Sequence, residues 1–200
     1  MRVKSLMVVA TVVVALFSGC SDGDEKHSVE LNTTGSAPPT PSESPASDVP
    51  EVPPAEGLAR GLDPASTPDE QQVTDTWFRY WAELTRMYSE VSVDRTVFDE
   101  LARGQAYKGP VAYVERLESS GNRNQGGSIA SVEKLTVSKD RAVVTGCQRT
   151  GLIEVDAEGV PAELPTPFVR TKETFERDAS GWVVVGHQVI STTLTTCSYR

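Results

Sequence analysis

Histidine is nearly absent from this 200-residue chain, with His27 and His187 the only two. Without an imidazole cluster, and with no C-x-x-C spacing among its three cysteines, a zinc site is not expected. The signatures G-x-S-x-G, G-x-G-x-x-G and G-x-x-x-x-G-K are missing too, so no nucleophile elbow, dinucleotide fold or phosphate loop announces itself. The acids are scattered and form no calcium loop. No metal and no cofactor is expected. Bases are outnumbered, 19 Lys and Arg against 28 Asp and Glu, and they form no basic stripe to displace phosphate counterions, which argues against nucleic acid as a partner. The longest apolar run, Leu6–Phe17, is too short to cross a hydrocarbon core of about 30 Å as a helix.

That run follows a positive start, Arg2 and Lys4, and ends at Ser18, Gly19 and Cys20 before the acidic SDGDEK. The pattern predicts a signal peptide over residues 1–19. Ser-Gly-Cys resembles the lipobox of bacterial lipoproteins, with Phe17 in place of the usual leucine. The resemblance implies cleavage before Cys20, a diacylglycerol on its thiol and two or three acyl chains, palmitate among them. The bilayer is then a partner through Cys20, because more than one chain gives stable anchoring. The expected address is the extracytoplasmic face of the cell membrane.

Aromatic residues are absent from Ser21 to Thr67, while eight prolines and nine acids occur there against only Lys26 and Arg60 as bases. Such a composition buries too little apolar surface to offset chain entropy, so residues 20–67 read as a lipid-anchored disordered tether. The signal carries two positive charges and the spacer minus seven. The total of minus nine therefore leaves minus four for residues 68–200, read as the folded domain. With Cys20 lipidated, Cys147 and Cys197 remain as a pair in a disulfide-permitting compartment. Their bridge would close a loop of about 50 residues, worth up to roughly 4 kcal/mol.

The domain opens with Thr67 as cap, Pro68 at the first helical position and Glu70 where a capping box places its acid. Val73, Trp77, Tyr80, Trp81, Leu84 and Tyr88 then recur at threes and fours, giving one aromatic face. A second helix is predicted after Asp94, with Val97, Phe98 and Leu101 inward and Gly104 as its stop. A third has Pro110 in its first turn, Val111, Val114 and Leu117 or Tyr113 on its inner face, and Gly121 at its end. Beyond Gly127 the period changes from 3.6 to 2. Strands are predicted at Ser128–Ser138, Arg141–Val155, Phe168–Arg177 and Trp182–Thr196 as an antiparallel meander. In that meander Cys147 and Cys197 lie on non-neighbouring strands. Either the strand order is not sequential, or the last residues cross the sheet's end.

Helices followed by a long antiparallel sheet predict an α+β domain. The helix TWFRYWAEL, the segment LARGQAYKGPVAYVERL, the strand AVVTGC and the hairpin ERDASGWVVVGHQV together resemble the NTF2-like superfamily, also called SnoaL-like or ketosteroid-isomerase-like. The resemblance implies a cone in which a curved sheet wraps the first helix; a cystatin-like α+β roll is the alternative. A cysteine after an AVV-type strand with another near the C-terminus looks like NTF2-like lipoproteins of actinobacteria. Enzymes of the superfamily place an acid, a histidine or a tyrosine inside the cone. Here the sheet offers His187, Glu173, Gln148 and Arg149, and the helices offer Tyr80, Tyr88, Asp94 and Asp99, in no motif-like spacing. His187 is the candidate base, and Trp77, Tyr80, Trp81, Tyr88 and His187 are the expected pocket lining. The reading is a non-catalytic envelope lipoprotein that binds a small apolar ligand or docks an envelope protein. Its alternative is a small-molecule isomerase or hydro-lyase using His187 and a nearby carboxylate.

Overall fold

The computed structural model describes residues 54, 56–162 and 168–193, all within the compact unit Pro45–Arg200. Cys20, Cys197, the lipobox and residues 194–196 of the last predicted strand lie outside the described residues. Helix α1 spans Pro68–Glu90 with both halves of the capping box made: Thr67 Oγ1 accepts from the Glu70 N–H, and Glu70 Oε2 accepts from the Thr67 N–H at 3.0 Å. Helix α2 spans Arg95–Leu101, its free N–H groups at Thr96 and Val97 donating to Asp94 Oδ1. Phe98 and Leu101 are buried, but Val97 points to solvent, since a two-turn helix has room for a narrow inner stripe only.

Helix α3 departs further from expectation. It begins at Gly104, not beside Pro110, and runs to Ser120. Gly104 opens this helix with φ +59°, a left-handed turn that lets the chain reverse after α2, so it is not the stop of α2. Pro110 therefore sits inside α3, where its missing N–H would leave the Ala106 carbonyl unbonded. The Tyr80 hydroxyl donates to that carbonyl at 2.9 Å, which satisfies it and fastens α1 to α3.

The sheet has the order β1-β3-β4-β6-β7, from β1 (Gly57–Arg60), β3 (Gly127–Val137), β4 (Arg141–Thr150), β6 (Phe168–Asp178) and β7 (Gly181–Thr193). The last four form the expected antiparallel meander in sequential order. Two additions were not expected. Strand β1 pairs parallel with β3, and Leu58 packs against the core, so folded structure reaches back into the stretch that composition marks as tether. The predicted strand Arg141–Val155 is broken at Gly151: its end is β5 (Ile153–Val155), which pairs with β2 (Arg123–Gln125) in a separate ribbon.

Helix α1 lies on the inner face of the sheet. Gly146 permits its closest approach, because a Cβ there would fall 2.1 Å from Trp77 Cζ2. The sheet curves through three one-residue bulges, at Glu133 on β3 and at Val185 and Ile190 on β7. Fold class is thus as predicted: an α+β cone with helices packed on a curved, mainly antiparallel sheet.

Candidate functional site

The hairpin β6–β7 sets the site. Counting back from its turn, Phe175 faces Val184, and a regular ladder would next bring Gly186 opposite Glu173. The bulge at Val185 advances β7 by one residue, so His187 faces Glu173 and its ring turns inward. Glu173 is 0% exposed. Its Oε2 accepts from Trp77 Nε1 at 2.7 Å and from the Thr171 hydroxyl at 3.3 Å, and His187 Nδ1 lies 2.9 Å from Oε1. With Oε2 already taking two donors, the carboxylate acts as acceptor for an Nδ1–H, which leaves His187 Nε2 as the ring's free nitrogen.

Around this pair stand aromatic rings. Trp81 meets His187 edge-on at 5.3 Å between centroids, and Tyr80 lies 6.3 Å away. Burial first, and then the neighbouring charges of Tyr88 and Glu173, raise the Tyr80 hydroxyl well above its ordinary pKa. Tyr80 is thus a neutral donor whose proton goes to Ala106 O. Burial and Tyr113 likewise raise Tyr88. Two buried donors, Trp81 Nε1 beside the pair and Gln148 Nε2 four residues along β4 from the partner of Glu173, have no hydrogen-bond partner among the described residues.

Of the sequence candidates, His187, Glu173, Tyr80, Trp77 and Trp81 come together. Asp94 is a helix cap, and Asp99 and Arg149 lie away from the pair. The expected pocket-lining role of Trp77, Tyr80 and Trp81 changes: all three are buried in the core cluster with Phe98 and Phe175. Thr171 and the polar role of Trp77 were missed. Both depend on the register of β6 against its neighbours and on one bulge, neither of which a pattern of residue types encodes. A side chain of His187 that is 21% exposed is the pair's opening to solvent. Among the described residues no cluster of His, Cys, Asp and Glu suits a metal ion, and no helix is long and apolar enough to cross a membrane.

No protein-family model matches the chain, and no curated protein matches it. Solved structures do. The intermembrane space region of the chloroplast protein ARC6 is similar at a TM-score of 0.52 and 14% identity, over 64% of this chain and 100% of that one. A cystatin-like protein of unknown function from Nostoc punctiforme has a TM-score of 0.39 and 12% identity, over 62% of this chain and 91% of the other. A protein described as a SnoaL-like polyketide cyclase, from Jannaschia, has a TM-score of 0.31 and 16% identity, over 63% and 90%. At these identities the likeness is one of fold.

Proposed function

We propose that this chain is a bacterial, actinobacterial-type lipoprotein, held on the extracytoplasmic face of the membrane by acylated Cys20, whose cone binds without catalysis. The observation that carries the non-catalytic reading is the filling of the cone. Trp77, Tyr80, Phe98 and Phe175 occupy its interior, and the Glu173 carboxylate gives its acceptor capacity to three protein donors. An acid spent on holding the core together is poorly placed to move a substrate proton. Docking of an envelope protein or of a small ligand then takes place on the cone's surface. A related fold in a region named for an intermembrane space is in keeping with a compartment-facing role.

A Cys147–Cys197 bridge belongs to the same reading. Gly146 faces Trp77, so Cys147 beside it points to the sheet's other face, and it is 1% exposed. Its row continues through Arg170 to Ser191, with β7 ending at Thr193. Since the strand order is sequential, the bridge requires the residues after Thr193 to cross the end of β6. Four residues reach about 13 Å, against roughly 10 Å between strands two places apart.

The anchor is tested by Cys20→Ala, which should move the protein from the membrane fraction to the soluble one; unchanged membrane retention overturns the lipoprotein reading. One observation favours the catalytic alternative: the Glu173–His187 geometry is that of an oriented base with Nε2 free. Exchange of α-protons of a cyclic ketone in deuterated water, read by NMR, distinguishes the two. Exchange abolished by His187→Ala in a folded protein would establish the isomerase reading.

A further inference from the structure

Outside the cone, a cavity of about 510 Å³ opens between α1, the C-terminal end of α2 and the β6–β7 turn. That volume lies in the range that small ligands fill. Its charges are not all balanced within the protein. Asp75 on its wall is neutralised by Arg60 at 2.5 Å. Arg79 and Glu100, both exposed at the same cavity, have no ion-pair or hydrogen-bond partner among the described residues. Leu101 and Trp182 supply buried apolar walls. Trp182 is 4% exposed, and the Arg177 guanidinium covers its ring at 4.4 Å, which fixes the indole as a rigid wall.

We infer that this cavity is a binding site for a small zwitterion, a free α-amino acid with an apolar side chain. Its carboxylate pairs with Arg79, its ammonium pairs with Glu100, and its side chain lies against Leu101 and the Trp182 indole. A ligand of one charge would bring that charge against its like on the opposite wall, and a ligand of both signs meets each with its opposite. The inference rests on the binding reading above and names a ligand for it.

The test is calorimetric titration of the full mature chain with leucine, with isovalerate, which lacks the amine, and with isoamylamine, which lacks the carboxylate. Leucine should bind at least ten-fold more tightly than either half. Arg79→Gln and Glu100→Gln should each abolish or weaken leucine binding ten-fold or more while the thermal midpoint stays put. Amide chemical shifts of Ser180 and Gly181, which line the cavity, should move on adding leucine to the wild type. Isovalerate or isoamylamine binding as tightly as leucine overturns the zwitterion, and so does leucine binding indifferent to Arg79 and Glu100. No heat and no shift with leucine at millimolar concentration overturns this site alone, because anchoring and protein docking are read by fractionation and pull-down.

Discussion

Glu173 carries three donors on two oxygens and is fully buried, so its neighbours depend on it more than it depends on any one of them. Glu173→Ala should cost about 3–5 kcal/mol, since it leaves the Trp77 N–H, the Thr171 hydroxyl and the His187 Nδ1–H unpaired beside a void. Glu173→Gln keeps the volume but turns an amide NH₂ toward a donor, and should cost roughly 1–3 kcal/mol. His187→Ala removes one donor of three at a partly exposed site and should cost less than either, about 1–2 kcal/mol. Urea unfolding of the three variants checks the order; an His187→Ala loss equal to that of Glu173→Ala would show the histidine, not the acid, to be the hub. Gly146 obeys a different constraint. A methyl there must displace a Trp77 ring that is held by its bond to Glu173 and by edge contacts with Phe78 and Trp81. Gly146→Ala should therefore fall at the upper end of the ~1–3 kcal/mol range for overpacking, measured the same way.

Elements differ in how far their causes are local. The start of α1, the Asp94 cap and the Gly121 end of α3 are legible because each is decided by one or two side chains within a turn. Strand β1 is not: GLAR has no alternation, and what makes it a strand is the edge of β3 some seventy residues later. Its loss should be measurable. A chain beginning at Ser66 loses the parallel ladder, the bonds from Gly61 N to Ala130 O and from Val132 N to Leu62 O, and the Thr74–Asp63 contact. Its thermal midpoint should lie roughly 10 °C below that of a chain beginning at Pro54, for a loss of about 2–4 kcal/mol; equal midpoints would show β1 to be an idle edge. The small ribbon has its own hub. Glu154 on β5 takes both arms of Arg116, the Asn122 amide and the Tyr113 hydroxyl, joining α3 to the β2–β5 pair. The Arg116 bonds foremost, helped by Asn122 and Tyr113, hold its carboxyl at about 2 against an ordinary 4.5. A lowered folded-state value means stabilisation that is complete above pH ~4.5 and is lost as pH falls toward 2. In thermal scans Glu154→Gln should be less stable at neutral pH and show a shallower fall over that window. Part of the slope should remain, because Asp178, bonded to Ser180 and Arg103, is also held at about 2.

At the scale of the whole molecule, the meander runs away from β1 toward β7, and among the described residues the edge of the long strand β7 is covered only near Val184, where the α2–α3 connection adds the Arg103 N–H to the Val184 carbonyl. Farther along, Val189 is 51% exposed and Ile190, the bulged residue, 48%. An edge this long needs something to keep it in place, and a bridge from Cys147 to Cys197 would do so by tying the chain after β7 back to β4 across β6. Three consequences follow from that tie. Peptide mapping without reductant should find Cys147 joined to Cys197, and two freely alkylatable thiols would refute the bridge. Reduction should lower stability by up to about 4 kcal/mol, the entropy of a loop of about 50 residues, with strain bringing the figure down. Hydrogen exchange should separate this from a general loosening. Amides of β6 and β7 beyond Thr171 toward Phe168 and toward Thr193 should gain exchange on reduction, while those around Phe175 and Val184, pinned by the core and by the α2–α3 connection, keep their protection. Uniform loss of protection across the sheet would mean that the cone holds together only with the bridge closed.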